Sequence, residues 1–213
     1  MDPIFSTYSP GMNFSAPPFS QACENNQAPI FEVLQTVFSD RTHVLEIGSG
    51  TGQHSVYFAP RLPHLTWQTS DLTENHAGIQ AWHAAHPAPN LRPPVELDLS
   101  CSEWPELATP PDAIFTSNTC HIVAWPLVQK LFALAGHLPA QGVLAIYGPF
   151  NYEGKFTSDS NRAFDAWLRA RDAHSGIRHF EDIEALARKH GLALQQDQAM
   201  PANNRVLVFR KID

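Results

Sequence analysis

Beyond residue 20 the apolar positions follow two periods. Ile30, Val33, Leu34, Val37 and Phe38 recur at i, i+3, i+4, i+7 and i+8, the stripe of an amphipathic helix with Pro29 in its first turn. From residue 42 short apolar runs alternate with helical stretches. HVLEIG leads into a helix from Gly52 to about Arg61, and LTWQTS into a helix within ENHAGIQAWHAAH. PVELDL is followed by a short, weak helical segment, AIFTSN by the helix around WPLVQKLFALAGHL, and VLAIYG by a long loop. Strands separated by helices predict βαβ units: a Rossmann-like α/β fold with a mostly parallel sheet and helices on both faces.

The end of the chain breaks this alternation. Ser160 is placed to cap a helix carrying Phe164, Trp167 and Leu168 on one face. EDIEALARKH is a second helix, acidic in its first turn and followed by Gly191. LALQQDQAM and NRVLVFRK are then joined only by PANN, so they must pair as an antiparallel C-terminal hairpin. The first residues have neither period. Pro3, Pro10, Pro17 and Pro18 with scattered aromatics mark an irregular arm over residues 1–23, and residues 24–213 read as one domain.

Composition narrows the function classes. A formal charge of −7 with 14 Lys plus Arg, unclustered, argues against a nucleic-acid groove or an anionic membrane surface. No apolar run approaches the roughly 20 residues of a membrane span, and the N-terminus lacks a basic, apolar secretion signal. A soluble cytoplasmic protein is the expectation. Cys23, Cys101 and Cys120 are too far apart for a disulfide framework or a thiolate metal site. His83 and His86 in HAAH could share a helix face, but no carboxylate pattern completes a metal site, and none is expected.

The chemistry concentrates in HVLEIGSGTGQHSVYF. Gly48, Gly50 and Gly52 form GxGxG between a strand and a helix, a turn whose backbone can approach a ligand. A dinucleotide fingerprint would put glycine where Gln53 stands. Glu46, at the end of the strand, would repel a pyrophosphate and suits a ligand with a cationic end. Asp71 closes the second strand about 20 residues on, the spacing of an acid that grips ribose hydroxyls. Asp98 ends the third strand, within reach of an adenine edge. Three acids ending three successive strands make a site, because ligands of open α/β sheets bind beyond those ends. Adenine, free ribose, no phosphate and a cationic aminoacyl end describe S-adenosylmethionine.

From about residue 25 onward the chain resembles the class I S-adenosylmethionine-dependent methyltransferases. VLEIGSGTG matches their first motif, Asp71 their ribose acid and Asp98 their adenine-region acid. A closer resemblance is to a small, little-characterised branch of them, through FSQACENNQAPIFEVL, LEIGSGTGQH, NLRPP, YGPF, SNRAFDAWL, RDAHSGIR and MPANN. Asn25 departs from the arginine common there. The resemblance implies a seven-stranded sheet with an antiparallel last strand, and S-adenosylhomocysteine as the product of the cofactor. It implies cofactor contacts from Asn26, Glu46, Gly48, Gly50, Gly52, Gln53, Asp71, Leu72, Asp98, Leu99, Ser117 and Asn118.

Methyl transfer from a sulfonium needs alignment, exclusion of water and, for some acceptors, removal of a proton. His121, just past the fourth strand, is the candidate base, with an ordinary pKa near 6.5. Tyr147 is the second candidate for the catalytic centre. Trp125, Phe150, Tyr152 and Asn203 are expected around the acceptor, with Phe14 and Phe19 of the arm as a lid. The acceptor is expected to be a small molecule methylated at oxygen or nitrogen, the protein a monomer or homodimer. Protein or RNA methylation, a nicotinamide-dependent oxidoreductase and a non-catalytic cofactor-binding protein remain open alternatives.

Overall fold

A computed structural model describes residues 16–101 and 105–212. They form two compact units, residues 16–98 with 105–111, and residues 99–101 with 112–212.

In the first unit α1 (Gln21–Val37) starts at Ser20, whose side chain accepts from the Cys23 amide at 3.3 Å. Pro29 therefore lies inside the helix rather than in its first turn, and residues 21–23, expected in the arm, are helical. The proline leaves the Asn25 carbonyl without its usual helical donor. The stripe still forms, with Ile30, Leu34 and Phe38 fully buried. β1 (His43–Ile47) is buried throughout and precedes α2 (Gln53–Phe58), which continues as a 3₁₀ turn over Ala59–Arg61. β2 (Thr66–Asp71) runs parallel to β1. α3 (His76–Ala85) leads to β3 (Leu91–Glu96), parallel to β2.

β3 begins earlier than the expected 94–99 and takes in Pro93 and Pro94. An edge strand tolerates prolines because only one side of it must supply ladder amides. The β2–β3 register shifts between Gln68 and Ser70, and β2 side chains bond β3 carbonyls there: Gln68 Nε2 donates to that of Pro93 at 2.6 Å, and Thr69 Oγ1 to that of Arg92 at 3.1 Å. The weak helix expected after this strand does not form in residues 97–101 or 105–112.

The second unit contains β4 (Ala113–Ser117), α4 (Trp125–Ala135) and β5 (Val143–Gly148), with β4 and β5 parallel. β6 (Phe150–Asn151) and, after α5 (Asp159–Arg171), β7 (Arg178–His179) form a small parallel ladder of their own. Ser158, not Ser160, caps α5: its hydroxyl accepts from the Asn161 amide at 3.1 Å, and Ser160 falls in the first turn. α6 (Phe180–Lys189) precedes the hairpin of β8 (Leu192–Met200) and β9 (Asn204–Lys211), which pair antiparallel. β9 also pairs antiparallel with β5, from Val143 opposite Arg210 to Gly148 opposite Arg205. Phe132 and Phe209 meet edge-on at 5.9 Å in the core of this unit.

The seven-stranded sheet has the order β3-β2-β1-β4-β5-β9-β8, mostly parallel with an antiparallel C-terminal hairpin, as the two strand-like runs around PANN predict. No helix among the described residues is long and apolar enough to cross a membrane.

Candidate functional site

The glycine turn of the first unit links β1 to α2. Gly50 and Gly52 both have positive φ, +58° and +90°, but for different reasons. A Cβ on Gly52 would stand 2.9 Å from the Ile79 Cα, so this glycine lets α3 pack against the turn. A Cβ on Gly50 would meet nothing within 4 Å: it would project into open space. Asp71, 9% exposed, holds the turn from the end of β2. Its Oδ2 accepts from the Gly50 amide at 2.7 Å, and its Oδ1 from the Leu72 amide at 2.8 Å and Asn75 Nδ2 at 2.7 Å. Leu72 beside it is 39% exposed.

Glu46 is almost completely buried, at 2% exposure. The Trp67 indole donates to its Oε2 at 2.9 Å. Burial, reinforced by the nearby Asp71 charge, outweighs the hydrogen bonds from Trp67 and Ser49 and pushes its pKa up to about 7. A cation arriving beside it would draw it back to the ionised form. Gly48 also has positive φ, +71°, and its amide donates to the Ser70 carbonyl at 3.1 Å. Asp98 lies two residues past the end of β3, half-buried, and Leu99 is buried.

α1 is fastened to this turn. The Ser20 amide donates to Gln53 Oε1, and Gln53 Nε2 returns to the Ser20 carbonyl at 3.3 Å. Buried Asn26 meets His54 Nε2 through its Oδ1 at 2.7 Å. Burial depresses the His54 pKa to about 4, so the imidazole is neutral. In this state Asn26 and Gln53, both expected at the cofactor, join α1 to α2. The Trp82 indole donates to the Pro18 carbonyl at 2.6 Å, and Phe19 is 52% exposed. Phe14 lies outside the described residues. The HAAH histidines have local partners: His83 Nε2 lies 3.1 Å from Ser55 Oγ, and His86 stacks on Trp82.

In the second unit the chain leaves β4 through Ser117 and Asn118. Asn118 takes φ +60°, and its amide donates to the Tyr147 carbonyl at 2.9 Å. Four successive carbonyls then receive donors from one short segment. Arg178 Nε donates to Cys120, the Gly176 amide to His121, Ser175 Oγ to Ile122 and Arg178 Nη2 to Val123, at 2.9, 2.9, 2.5 and 2.6 Å. His121 itself is 4% exposed and packs edge-on against Phe164 at 5.4 Å. Burial, with the Arg178 charge, drives its pKa down to about 3. A base titrating near 6.5 does not fit that environment. Arg178, whose guanidinium carbon lies 5.9 Å from the Trp125 ring, escaped the sequence reading because two of its carbonyl partners, on Cys120 and Val123, lie more than fifty residues away.

Tyr147 and Phe150 are buried, at 4% and 1% exposure, and Phe150 in this state offers a pocket no surface. Tyr152 and Asn203 do come together. They line a cavity of about 420 Å³ with Thr157, Met200 and Arg205. The Tyr152 hydroxyl donates to Asp197 Oδ2 at 2.9 Å, and Arg205 Nε to Asp197 Oδ1 at 2.6 Å. Burial and the bond to Asp197 raise the Tyr152 pKa. Arg205, opposite Ala199, reaches Asp197, opposite Leu207, diagonally across the hairpin, a pairing visible in sequence only once the register is known.

Solved structures share this fold. An O-methyltransferase family protein from Burkholderia thailandensis superposes with a TM-score of 0.77 at 18% identity, over 90% of this chain and 58% of that one. An O-methyltransferase family 2 protein from Planctomyces limnophilus, in complex with apigenin, gives 0.69 at 17% identity, over 89% and 62%. Human N-acetylserotonin methyltransferase, in complex with S-adenosylmethionine, gives 0.66 at 15% identity, over 89% and 57%. The chain thus spans less than two thirds of the length of these proteins, and at such identities the likeness is one of fold: a Rossmann-like sheet with an antiparallel C-terminal hairpin. In sequence, residues 17–211 match the model of the family described as "protein of unknown function (DUF938)", and the chain belongs to that family.

Proposed function

We propose that the protein is an S-adenosylmethionine-dependent methyltransferase acting on an oxygen or nitrogen nucleophile of a small molecule. One observation carries the reading: Asp71 grips the glycine turn while the space in front of Gly50 stays open. The residues there suit this cofactor. Asp71 has lone-pair capacity left for a ribose hydroxyl, Leu72 offers an apolar face, and buried Glu46 awaits a cationic group. Gln53 stands where a dinucleotide fingerprint has its third glycine, which speaks against a dinucleotide. The methyltransferase fold of the solved structures supports the same choice, and their S-adenosylmethionine and apigenin complexes favour a small acceptor.

Bound at this turn, S-adenosylmethionine supplies an activated methyl group. The chain's own residues would then bind and orient. Glu46 neutralises the cationic end, Asp71 fixes the ribose, and Asp98 and Leu99 are assigned to the adenine. The clamped loop after β4, with Ser117, Asn118 and His121, is rigid enough to hold a reactant in one pose. Neutral His121 has little driving force to take a proton, so its proposed role is orientation.

Calorimetric titration of S-adenosylhomocysteine and of NAD⁺ into the wild type and Asp71→Ala tests this. Charge-assisted hydrogen bonds from ribose are worth roughly 1.5–3 kcal/mol each, so the variant should bind S-adenosylhomocysteine at least about tenfold more weakly. Equal affinity in a folded variant, or preference for NAD⁺, contradicts the reading.

A further inference from the structure

The cavity between β6, the start of α5 and the β8–β9 turn belongs wholly to the second unit, and the cofactor reading makes no use of it. Arg205 is the one charged residue among those that line it. Its guanidinium is held by Asp197, and the Tyr152 hydroxyl interacts with it from beside that carboxylate. Nε donates to Asp197 Oδ1 at 2.6 Å and Nη2 to the Asp197 carbonyl at 3.0 Å, while Nη1 has no hydrogen-bond partner among the described residues. The hydroxyl of Tyr152 occupies the other Asp197 oxygen at 2.9 Å, which fixes the carboxylate behind the arginine. One edge of the planar fork, Nη1 with the outer N–H of Nη2, is thus left over and held in place. That edge matches the two oxygens of a carboxylate.

The rest of the lining is neutral. The thioether of Met200 and the ring of Tyr152, with Arg205 at 5.7 Å from its centroid, give an apolar flank, and Asn203 and Asn204 give amides. Ala202 and Asn203 both hold left-handed backbone, φ 56° and 57°, without being glycine. Consecutive strained residues persist where the surroundings over-determine them, commonly at binding sites. Here Asn161 Nδ2 donates to the Asn203 carbonyl at 3.2 Å and pins the turn. The volume of about 420 Å³ falls at the small end of ligand pockets, enough for about one ring and its substituents.

We infer that this cavity binds a small organic acid through its carboxylate, gripped end-on by Arg205. Naming that acid as the methyl acceptor rests on the methyltransferase reading; the binding itself stands on the second unit alone.

The test is an amide-resolved NMR titration of the full chain with 4-hydroxybenzoate and, separately, with its neutral isostere 4-hydroxybenzamide. The acid should bind at least about tenfold more tightly than the amide, with shifts centred on residues 199–205. Arg205→Lys keeps the charge but loses the fork, and the preference should drop to about threefold or less. Should that variant fail to fold, the wild-type comparison decides alone. Equal binding of acid and amide, shifts elsewhere, or an unchanged preference in a folded Arg205→Lys protein overturns the assignment. S-adenosylhomocysteine added to the same sample separates the two proposals. If it does not bind while the acid does, the methyltransferase reading fails and the cavity assignment stands. If it binds while the acid shows no preference, only the cavity assignment fails.

Discussion

Glu46 is an acid that folding has weakened. Its pKa of about 7, against 4.5 for an ordinary glutamate, means the folded protein keeps a proton that the unfolded chain releases. Stability from this group is therefore highest at low pH and declines as pH rises from about 4.5 to about 7, by roughly 3 kcal/mol at 1.36 kcal/mol per unit. Glu46→Gln removes that slope. Melting curves should show the variant gaining on the wild type by roughly that amount between about pH 5 and about pH 8, while its affinity for S-adenosylhomocysteine falls. Parallel stability curves would mean the carboxylate is not protonated in the fold. His121 shifts the opposite way. With its pKa near 3 it is already neutral throughout the physiological range, so the rate should show no titration that His121 controls. Once an acceptor is found, His121→Asn should lower kcat by less than about tenfold and keep the pH profile, against the roughly 10²–10⁴-fold loss of a general base. Loss of a rising limb near pH 6.5 in the variant would restore the imidazole as the base.

At the scale of elements, the strand–turn–helix around β1 and α2 separates packing from binding within one motif. Gly52→Ala forces a Cβ to within 2.9 Å of the Ile79 Cα and should cost stability, about 2–4 kcal/mol. Gly50→Ala bears only the left-handed backbone, about 1–2 kcal/mol, yet places its methyl in open space and should weaken S-adenosylhomocysteine at least about tenfold. Normal affinity in Gly50→Ala, measured by calorimetry, would mean the glycine serves the turn alone. This motif was legible in sequence because glycine spacing and strand-end acids are local signals. β1, β4 and β5 were legible for the same reason, as apolar runs with clear ends, whereas β2, with Trp67 its one apolar residue, was placed by its position between two helices. β3 was displaced because Pro93 and Pro94 look like breakers until the strand is known to be an edge. The start of α1 was missed because Pro29 resembles a first-turn residue, whereas the cap is Ser20. β6 and β7, two residues each, have no period to detect. The buried state of Glu46 depends on Trp67, and the cavity on Arg205, Asp197 and Tyr152. Those partners meet through sheet register and hairpin pairing, which no spacing rule reveals.

Across the molecule, the order β3-β2-β1-β4-β5-β9-β8 puts the glycine turn at the carboxyl end of β1, and the acid that grips it at the carboxyl end of β2. Open α/β sheets bind ligands beyond those ends. The antiparallel β9 brings the β8–β9 turn to the matching end of β5, so Arg205 opposes Gly148 and the cavity opens there. The central claim is that S-adenosylmethionine binds at the first of these places. One measurement addresses it most directly: an amide and indole NMR spectrum of the full chain, recorded before and after adding S-adenosylhomocysteine. The account predicts the largest shifts at the Gly50 and Leu72 amides, which donate to Asp71, and at the Trp67 indole, which donates to Glu46. A spectrum that does not change, or changes only away from these three donors, would contradict it.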